Sequence, residues 1–123
     1  ITLAVGCGDK TMLDKALNRT FMVGTHPIQV LRATARHFLR LHETTGLIKS
    51  GKSPEMAMKA LKPPVIFMQV TSFKNQLQSW PKKNISDALD LLITAEMDCK
   101  TTNAPVKAIC WRTLMRITQL VKH

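Results

Sequence analysis

The sequence predicts an all-α fold, a single bundle of about six or seven helices. The first observation is that apolar residues recur at steps of three and four along most of the chain, the spacing of one helix face. The second is composition, because seven Met, no Tyr and many Leu, Ala and Lys favour helix over strand. The third is that proline and glycine stand at the ends of the predicted helices.

Residues 63–121 contain three successive apolar stripes, and we expect each to form one helix. Pro63-Pro64 opens the first and Pro81 breaks it, Asn84 with Asp87 predicts a cap for the second, and the turn at 101–105 precedes the third. None of the three can bury its stripe alone, so they should pack side by side. The stripes are Ile66, Val70, Phe73, Leu77, Trp80; Ile85, Ala88, Leu89, Leu92, Ala95, Cys99; and Val106, Ile109, Cys110, Leu114, Ile117, Leu120, Val121.

The first half of the chain predicts three more helices. One runs from Asp9 to about Val23, the longest from His26-Pro27 to about Ser50, and a short one from Ser53-Pro54 to Leu61. The side chains that should face inward on the first two are Met12, Leu13, Ala16, Leu17, Phe21, Ile28, Leu31, Ala35, Phe38, Leu39 and Leu41. Residues 1–123 are expected to form one helical domain, a fragment of a longer protein, because the apolar start lacks a basic lead-in.

The charge balance points to an acidic partner. The net charge is +10, from 18 Lys and Arg against 8 Asp and Glu. Nucleic acid or an acidic protein face would suit this excess, and the alternative is a small soluble domain whose acidic counterpart lies elsewhere in a longer protein. The three cysteines have no metal or redox spacing, which predicts a reducing cytoplasm, and no apolar run is long enough to span a membrane.

Arg32, Arg36 and Arg40 form one row at four-residue spacing on the longest predicted helix. Like charges so placed repel by a few tenths of a kcal/mol per pair, at most about 0.5. A solvated face tolerates that cost, and an anionic partner would turn it into an attraction, because guanidinium groups suit carboxylates and phosphates alike. Both interpretations remain open at this stage.

The segment Gly46–Ser53 matches the phosphate-loop pattern of nucleotide hydrolases letter by letter. That loop works between a strand and a helix, where its amides surround phosphates. Here the preceding residues have helical apolar spacing and Pro54 follows the would-be metal ligand. We therefore predict a helix-ending Gly46 or Gly51 followed by an N-cap at Ser53, and no nucleotide binding.

No catalytic, cofactor or metal site is predicted elsewhere. The four histidines, His26, His37, His42 and His123, lack metal spacing with cysteine or acid, and a single helix supplies no second set of ligands. The acids Asp87, Asp90, Glu96 and Asp98 are expected near the surface, and Glu96 should pair with Lys100 four residues later.

The ordered landmarks resemble the C-terminal domain of the delta subunit of the bacterial DNA polymerase III clamp loader. They cover essentially the whole chain without large gaps. They are Gly24-Thr25-His26-Pro27 with Leu31 and Arg36-His37-Phe38; Gly51, Ser53-Pro54-Glu55; Pro63-Pro64-Val65-Ile66-Phe67; Gln76-Leu77 with Trp80; and Glu96, Lys100-Thr101-Thr102 with Ala104-Pro105.

The resemblance implies a non-catalytic collar domain that joins clamp-loader subunits, gamma/tau and delta-prime, without a cofactor. Contact with the sliding clamp would come only through a preceding N-terminal region, and primer–template DNA would pass nearby. Arg32, Arg36, Arg40 and Trp80 are then candidates for a partner interface, and Lys100, Thr102 and Asn103 for proximity to DNA. Relatives can carry an aromatic at this last turn, where this chain has Asn103. The alternative function is an autonomous basic helical module that binds DNA or RNA.

Overall fold

A computed structural model describes residues 1–121, and within that range the chain contains seven α-helices, one 3-10 turn and no strand. The all-α prediction is confirmed. The helices are α1 (Thr2–Cys7), α2 (Lys10–Met22), α3 (Pro27–Lys49), α4 (Pro54–Ala60), α5 (Val70–Ser79), α6 (Lys82–Cys99) and α7 (Val106–Thr118); the 3-10 turn is Phe67–Gln69.

Three helices of the first half begin where the sequence predicted helix starts. The side chains of Asp9, His26 and Ser53 accept hydrogen bonds from the backbone N–H two or three residues later, at 3.0, 3.1 and 3.2 Å. Each such bond satisfies one of the N–H groups that a helix start leaves without a partner. Past the ends of α2 and α3, Gly24 and Gly51 adopt positive φ angles of 85° and 112°, a conformation that costs glycine little.

The longest helix, α3, lies at the centre of the bundle. It packs most extensively against α6 and also contacts α1, α4, α5 and α7. The α6 and α7 stripes pack against each other as predicted, but α5 makes its main contacts with α1 and α3 instead. The prediction of three adjacent C-terminal helices is therefore wrong for α5. The reason is that α3 offers 23 residues of helix, enough to cover α5 and α6 at separate places.

Several local predictions also need correction. Ile66 is 62% exposed because the chain after Pro63-Pro64 is not helical until the 3-10 turn, so Ile66 precedes the stripe of α5. Asn84 does not cap α6, which begins at Lys82; its Nδ2 atom instead donates to the Leu120 carbonyl at 2.6 Å. Met12 and Leu39, expected to face inward, are 39% and 55% exposed.

The core is built from one face of each helix and contains the two cysteines that the sequence placed there. Cys99 and Cys110 are buried. Burial raises the pKa of the Cys110 thiol to about 12, so this thiol stays protonated and acts as a small apolar group. Of the helices in residues 1–121, none is long and apolar enough to cross a membrane.

Candidate partner and nucleic-acid interfaces

The three arginines of α3 have three different environments. Arg32 donates from Nε to Glu96 Oε1 of α6 at 3.0 Å. Arg40 donates from Nη1 to the carbonyl of Pro63 at 2.7 Å. Arg36 is exposed and forms no ion pair with any other residue in 1–121. Two of the row therefore contact other parts of the bundle, and a partner contact of Arg36 remains a prediction.

Glu96 connects the arginine row to the predicted DNA-proximal turn. Its second carboxylate oxygen, Oε2, lies 3.2 Å from Lys100 Nζ, which confirms the predicted pair at four-residue spacing. The hydrogen bonds from Arg32 and from Lys100 lower the pKa of the Glu96 carboxyl. Arg32 and Lys100 are 68 positions apart in the sequence (100 − 32), and the structure brings them together at one shared carboxylate.

The turn after α6 presents Lys100, Thr102 and Asn103 at the surface, all of them exposed. Asn103 has a positive φ of 58°, the left-handed region that asparagine tolerates better than most residues. Thr101 Oγ1 donates to the Asp98 carbonyl at 2.8 Å and fixes the end of α6. The conformation of the turn accounts for Asn103 without reference to a ligand, and a role near DNA remains a prediction for all three exposed residues.

Trp80 lies in the core and not on a surface. Its side chain is 1% exposed, its Nε1 atom donates to the Gly6 carbonyl at 2.8 Å, and its ring meets that of Phe38 edge to face at 4.8 Å. The predicted inter-helix contact is confirmed. The assignment of Trp80 to a partner interface needs correction, because a ring enclosed by α1 and α3 cannot reach another subunit.

A cluster of polar side chains lies between α1, α3 and α5, and the sequence did not predict it. His37 Nε2 donates to Gln76 Oε1 at 2.6 Å, and Gln76 Nε2 donates to Ser72 Oγ at 3.1 Å. Gly6 lies against this amide so closely that an added Cβ would clash with Gln76 Oε1. The sequence signals were a glycine inside an apolar segment and a glutamine beside an apolar stripe.

The surroundings of His37 favour the neutral form of its imidazole. Burial lowers the pKa of His37 below its usual 6.5, and the nearby Arg40 charge lowers it further, while the hydrogen bond to Gln76 opposes them. His26 and His42 are both exposed, and His123 lies outside the described residues. No cluster of three or more His, Cys, Asp or Glu side chains within residues 1–121 could hold a metal ion.

The phosphate-loop look-alike joins two helices. Gly46 lies inside α3, Gly51 follows the end of that helix, and Ser53 caps α4. The predicted helix-ending Gly51 and N-cap Ser53 are confirmed. The strand that would aim the loop amides at a phosphate is replaced by the C-terminal part of α3, whose carbonyl end favours cations over anions. Nucleotide binding itself remains to be measured.

Comparison with curated proteins gives one informative relative. The chain is 30% identical over 77 residues to the probable DNA polymerase III subunit delta of Rickettsia prowazekii (strain Madrid E). The similarity is to a replication protein. It covers 63% of this chain and 24% of the relative, so the chain spans about a quarter of that protein's length. Neither the models of known protein families nor the solved structures contain a match.

Proposed function

We propose that this chain is the collar-type C-terminal domain of a clamp-loader delta subunit and serves DNA replication in the cytoplasm. The observation that carries the proposal is the 30% identity over 77 residues to a probable DNA polymerase III delta subunit. The all-helical bundle and the ordered landmarks between Gly24 and Pro105 agree with that relation. The domain would contribute assembly rather than catalysis.

The exposed face of α3 and α6 suits such an assembly role. Arg36 and Leu39, three residues apart, share one face of α3 and are both exposed. On α6, the helix that packs against α3, Ile93 and Met97 are 59% and 65% exposed. Protein interfaces combine apolar side chains with arginine anchors in this way. We name these four residues, with Arg32 at the margin, the α3–α6 face; Arg40 lies instead towards Pro63 and α5.

The partners would be the gamma/tau and delta-prime subunits of the clamp loader. In a clamp-loader delta subunit, contact with the sliding clamp would belong to an N-terminal region. Primer–template DNA would pass near Lys100, Thr102 and Asn103, where it would meet phosphate-binding charge without base-reading side chains. No step of this role requires a cofactor.

Reconstitution tests the assembly role directly. The protein is mixed with purified gamma/tau and delta-prime and followed by size-exclusion chromatography, where we expect co-elution as one complex. Arg36→Glu should weaken that complex without unfolding the bundle, since Arg36 has no ion pair within residues 1–121. Arg19→Glu, an equal charge reversal at an exposed arginine of α2, is the matched control and should assemble normally. Independent elution of the unmodified protein would refute the proposal.

The net charge of +10 favours a second candidate, an autonomous basic module for DNA or RNA. The two functions differ in what gel-shift assays should give. A collar domain should bind duplex weakly, without sequence preference, and with an affinity that falls steeply with salt because released counterions drive the binding. Sequence-selective binding that tolerates salt, together with no association with clamp-loader subunits, would favour the autonomous module.

A further inference from the structure

Ile66, Phe67 and Met68 form a continuous exposed apolar segment between α4 and α5. Their side chains are 62%, 91% and 89% exposed. Single exposed apolar residues are ordinary on protein surfaces, but three in a row form a patch. One backbone hydrogen bond joins the chain before the segment to α4, and a second closes the turn within the segment. Val65 N–H donates to the Met58 carbonyl at 3.3 Å, and Gln69 N–H donates to the Ile66 carbonyl at 2.8 Å. The segment thus presents three large apolar side chains to solvent.

A cavity of about 180 Å³ opens beside this segment, between α1, α3 and α5. Leu3, Val65, Met68 and Phe73 supply its apolar wall, and the rest of the lining is polar, from Thr2, His37, Arg40, Gln69, Ser72 and Gln76. The cavity is comparable in size with the roughly 150 Å³ engineered core cavity that binds benzene, so it has room for one apolar side chain of a ligand. We name the exposed segment and this cavity together the 66–68 patch.

The charge around the 66–68 patch is positive. Arg40 is the ionised side chain among the residues that line the cavity, and no carboxylate lines it. The sequence has no acidic residue between Glu55 and Asp87, whereas it has lysines at Lys59, Lys62, Lys74, Lys82 and Lys83. Glu55, the nearest acid before the patch in sequence, is already paired with Lys74 at 2.7 Å. A partner therefore meets apolar surface with a basic margin.

We propose that the 66–68 patch docks an amphipathic segment of a partner protein, with an apolar side chain in the cavity and carboxylates facing Arg40 and Lys62. Two observations disfavour other occupants. A second copy of this chain would add another +10 charge at close range. Single-stranded nucleic acid stacks successive bases on aromatic rings, and the segment offers one ring, Phe67, between aliphatic neighbours. The inference holds for the domain whether or not it belongs to a clamp loader.

The test uses two fluorescent helical peptides of about 16 residues and the same composition. One places Leu and Phe on a single helical face with Glu elsewhere, and the other scrambles that pattern. We expect saturable anisotropy binding of the patterned peptide and at least about tenfold weaker binding of the scrambled one. Amide NMR shifts in the unmodified protein should fall on Leu3, Val65, Met68 and Phe73.

A pair of double variants locates the binding. Phe67→Ser with Met68→Ser should lower affinity for the patterned peptide at least about tenfold. Met22→Ser with Val23→Ser is the matched control, because these adjacent residues are also strongly exposed, at 85% and 80%, but lie at the end of α2. The control should bind like the parent. If the first variant fails to fold, the NMR mapping on the unmodified protein decides the location.

Four results would overturn the proposal. The first is no saturable binding of the patterned peptide, and the second is an equal loss of affinity in the Met22 and Val23 control. The third is amide NMR shifts that map away from the cavity. The fourth is tighter binding of oligo(dT), or of a second copy of the chain, that depends on Phe67. Peptide binding and clamp-loader reconstitution are separate measurements, so failure of one is distinguishable from failure of the other.

Discussion

Two polar clusters tie α3 to its neighbours, and they differ chiefly in burial. On one side, His37, Gln76 and Ser72 form a chain of hydrogen bonds at 2.6 and 3.1 Å, next to the bond of Trp80 to the Gly6 carbonyl. On the other side, Arg32 and Lys100 share the Glu96 carboxylate at 3.0 and 3.2 Å. The distances are similar, but Trp80 and Gln76 are 1% and 3% exposed whereas the Lys100 side chain is 56% exposed.

The difference separates what stabilises the domain from what it can offer to a partner. A buried donor or acceptor that loses its partner keeps the full desolvation penalty, so a change in the buried cluster should lower the free energy of unfolding. An exposed ion pair exchanges readily with water and salt, so it adds little to folding. We expect changes at the first cluster to appear in melting curves and changes at the second to appear in binding.

The largest effect should come from Trp80→Ala. The substitution removes a fully buried ring and the donor to the Gly6 carbonyl, so it should lower the free energy of unfolding by about 3–5 kcal/mol. Chemical denaturation measures the change. Trp111→Ala is the matched control, and because Trp111 is only half-buried it should lose less. A Trp80→Ala variant as stable as the parent would contradict the buried contact with α1 and α3.

A smaller effect should appear as a pH dependence through His37. Its pKa is lowered in the folded protein, so the unfolded chain binds more protons as the pH falls below the usual value of 6.5. Stability should therefore be fully present above pH 6.5 and decline below it, with a slope of at most about 1.4 kcal/mol per pH unit. Denaturation midpoints measured over this range follow the slope.

Two glutamine variants on α3 identify the group responsible. His37→Gln cannot become charged, so this part of the pH dependence should disappear. His42→Gln removes an exposed histidine of the same helix and should keep the slope of the parent. A slope that persists in His37→Gln would assign the pH dependence to another group.

The sequence predicts the fold best where one helix buries one continuous face. The stripes of α6 and α7 place Ile85, Leu92, Leu114 and Ile117 in the core as expected. In such segments the helical period and burial agree, so periodicity alone is sufficient. It fails at Ile66, because the apolar spacing of α5 extends back to Ile66, where the backbone after Pro63-Pro64 is not yet helical.

The candidate interfaces depend on contacts that local spacing does not contain. Arg32 and Glu96 are 64 residues apart in sequence, and their pairing follows from how α3 packs on α6. Spacing alone places the three arginines in one row and does not distinguish them, whereas the structure leaves Arg36 without an ion pair in residues 1–121. The 66–68 patch was missed for a related reason, since an apolar residue is assigned to the core unless tertiary structure places it outside.

The smallest effect on stability, and a clear one on binding, should come from Glu96→Gln. The substitution releases the exposed Arg32 and Lys100 side chains from a half-buried carboxylate, so the melting temperature should change little. Lys100 could then contact a phosphate, and a plot of log affinity for duplex DNA against log salt should steepen by about 0.9 for each added phosphate contact. Glu55→Gln is the matched control, because it removes one exposed carboxylate paired with a lysine elsewhere and adds the same net charge. If both variants steepen the plot equally, net charge alone explains the binding and the turn at Lys100 has no special proximity to DNA. If only Glu96→Gln steepens it, the cluster of Arg32, Glu96 and Lys100 lies beside the nucleic acid.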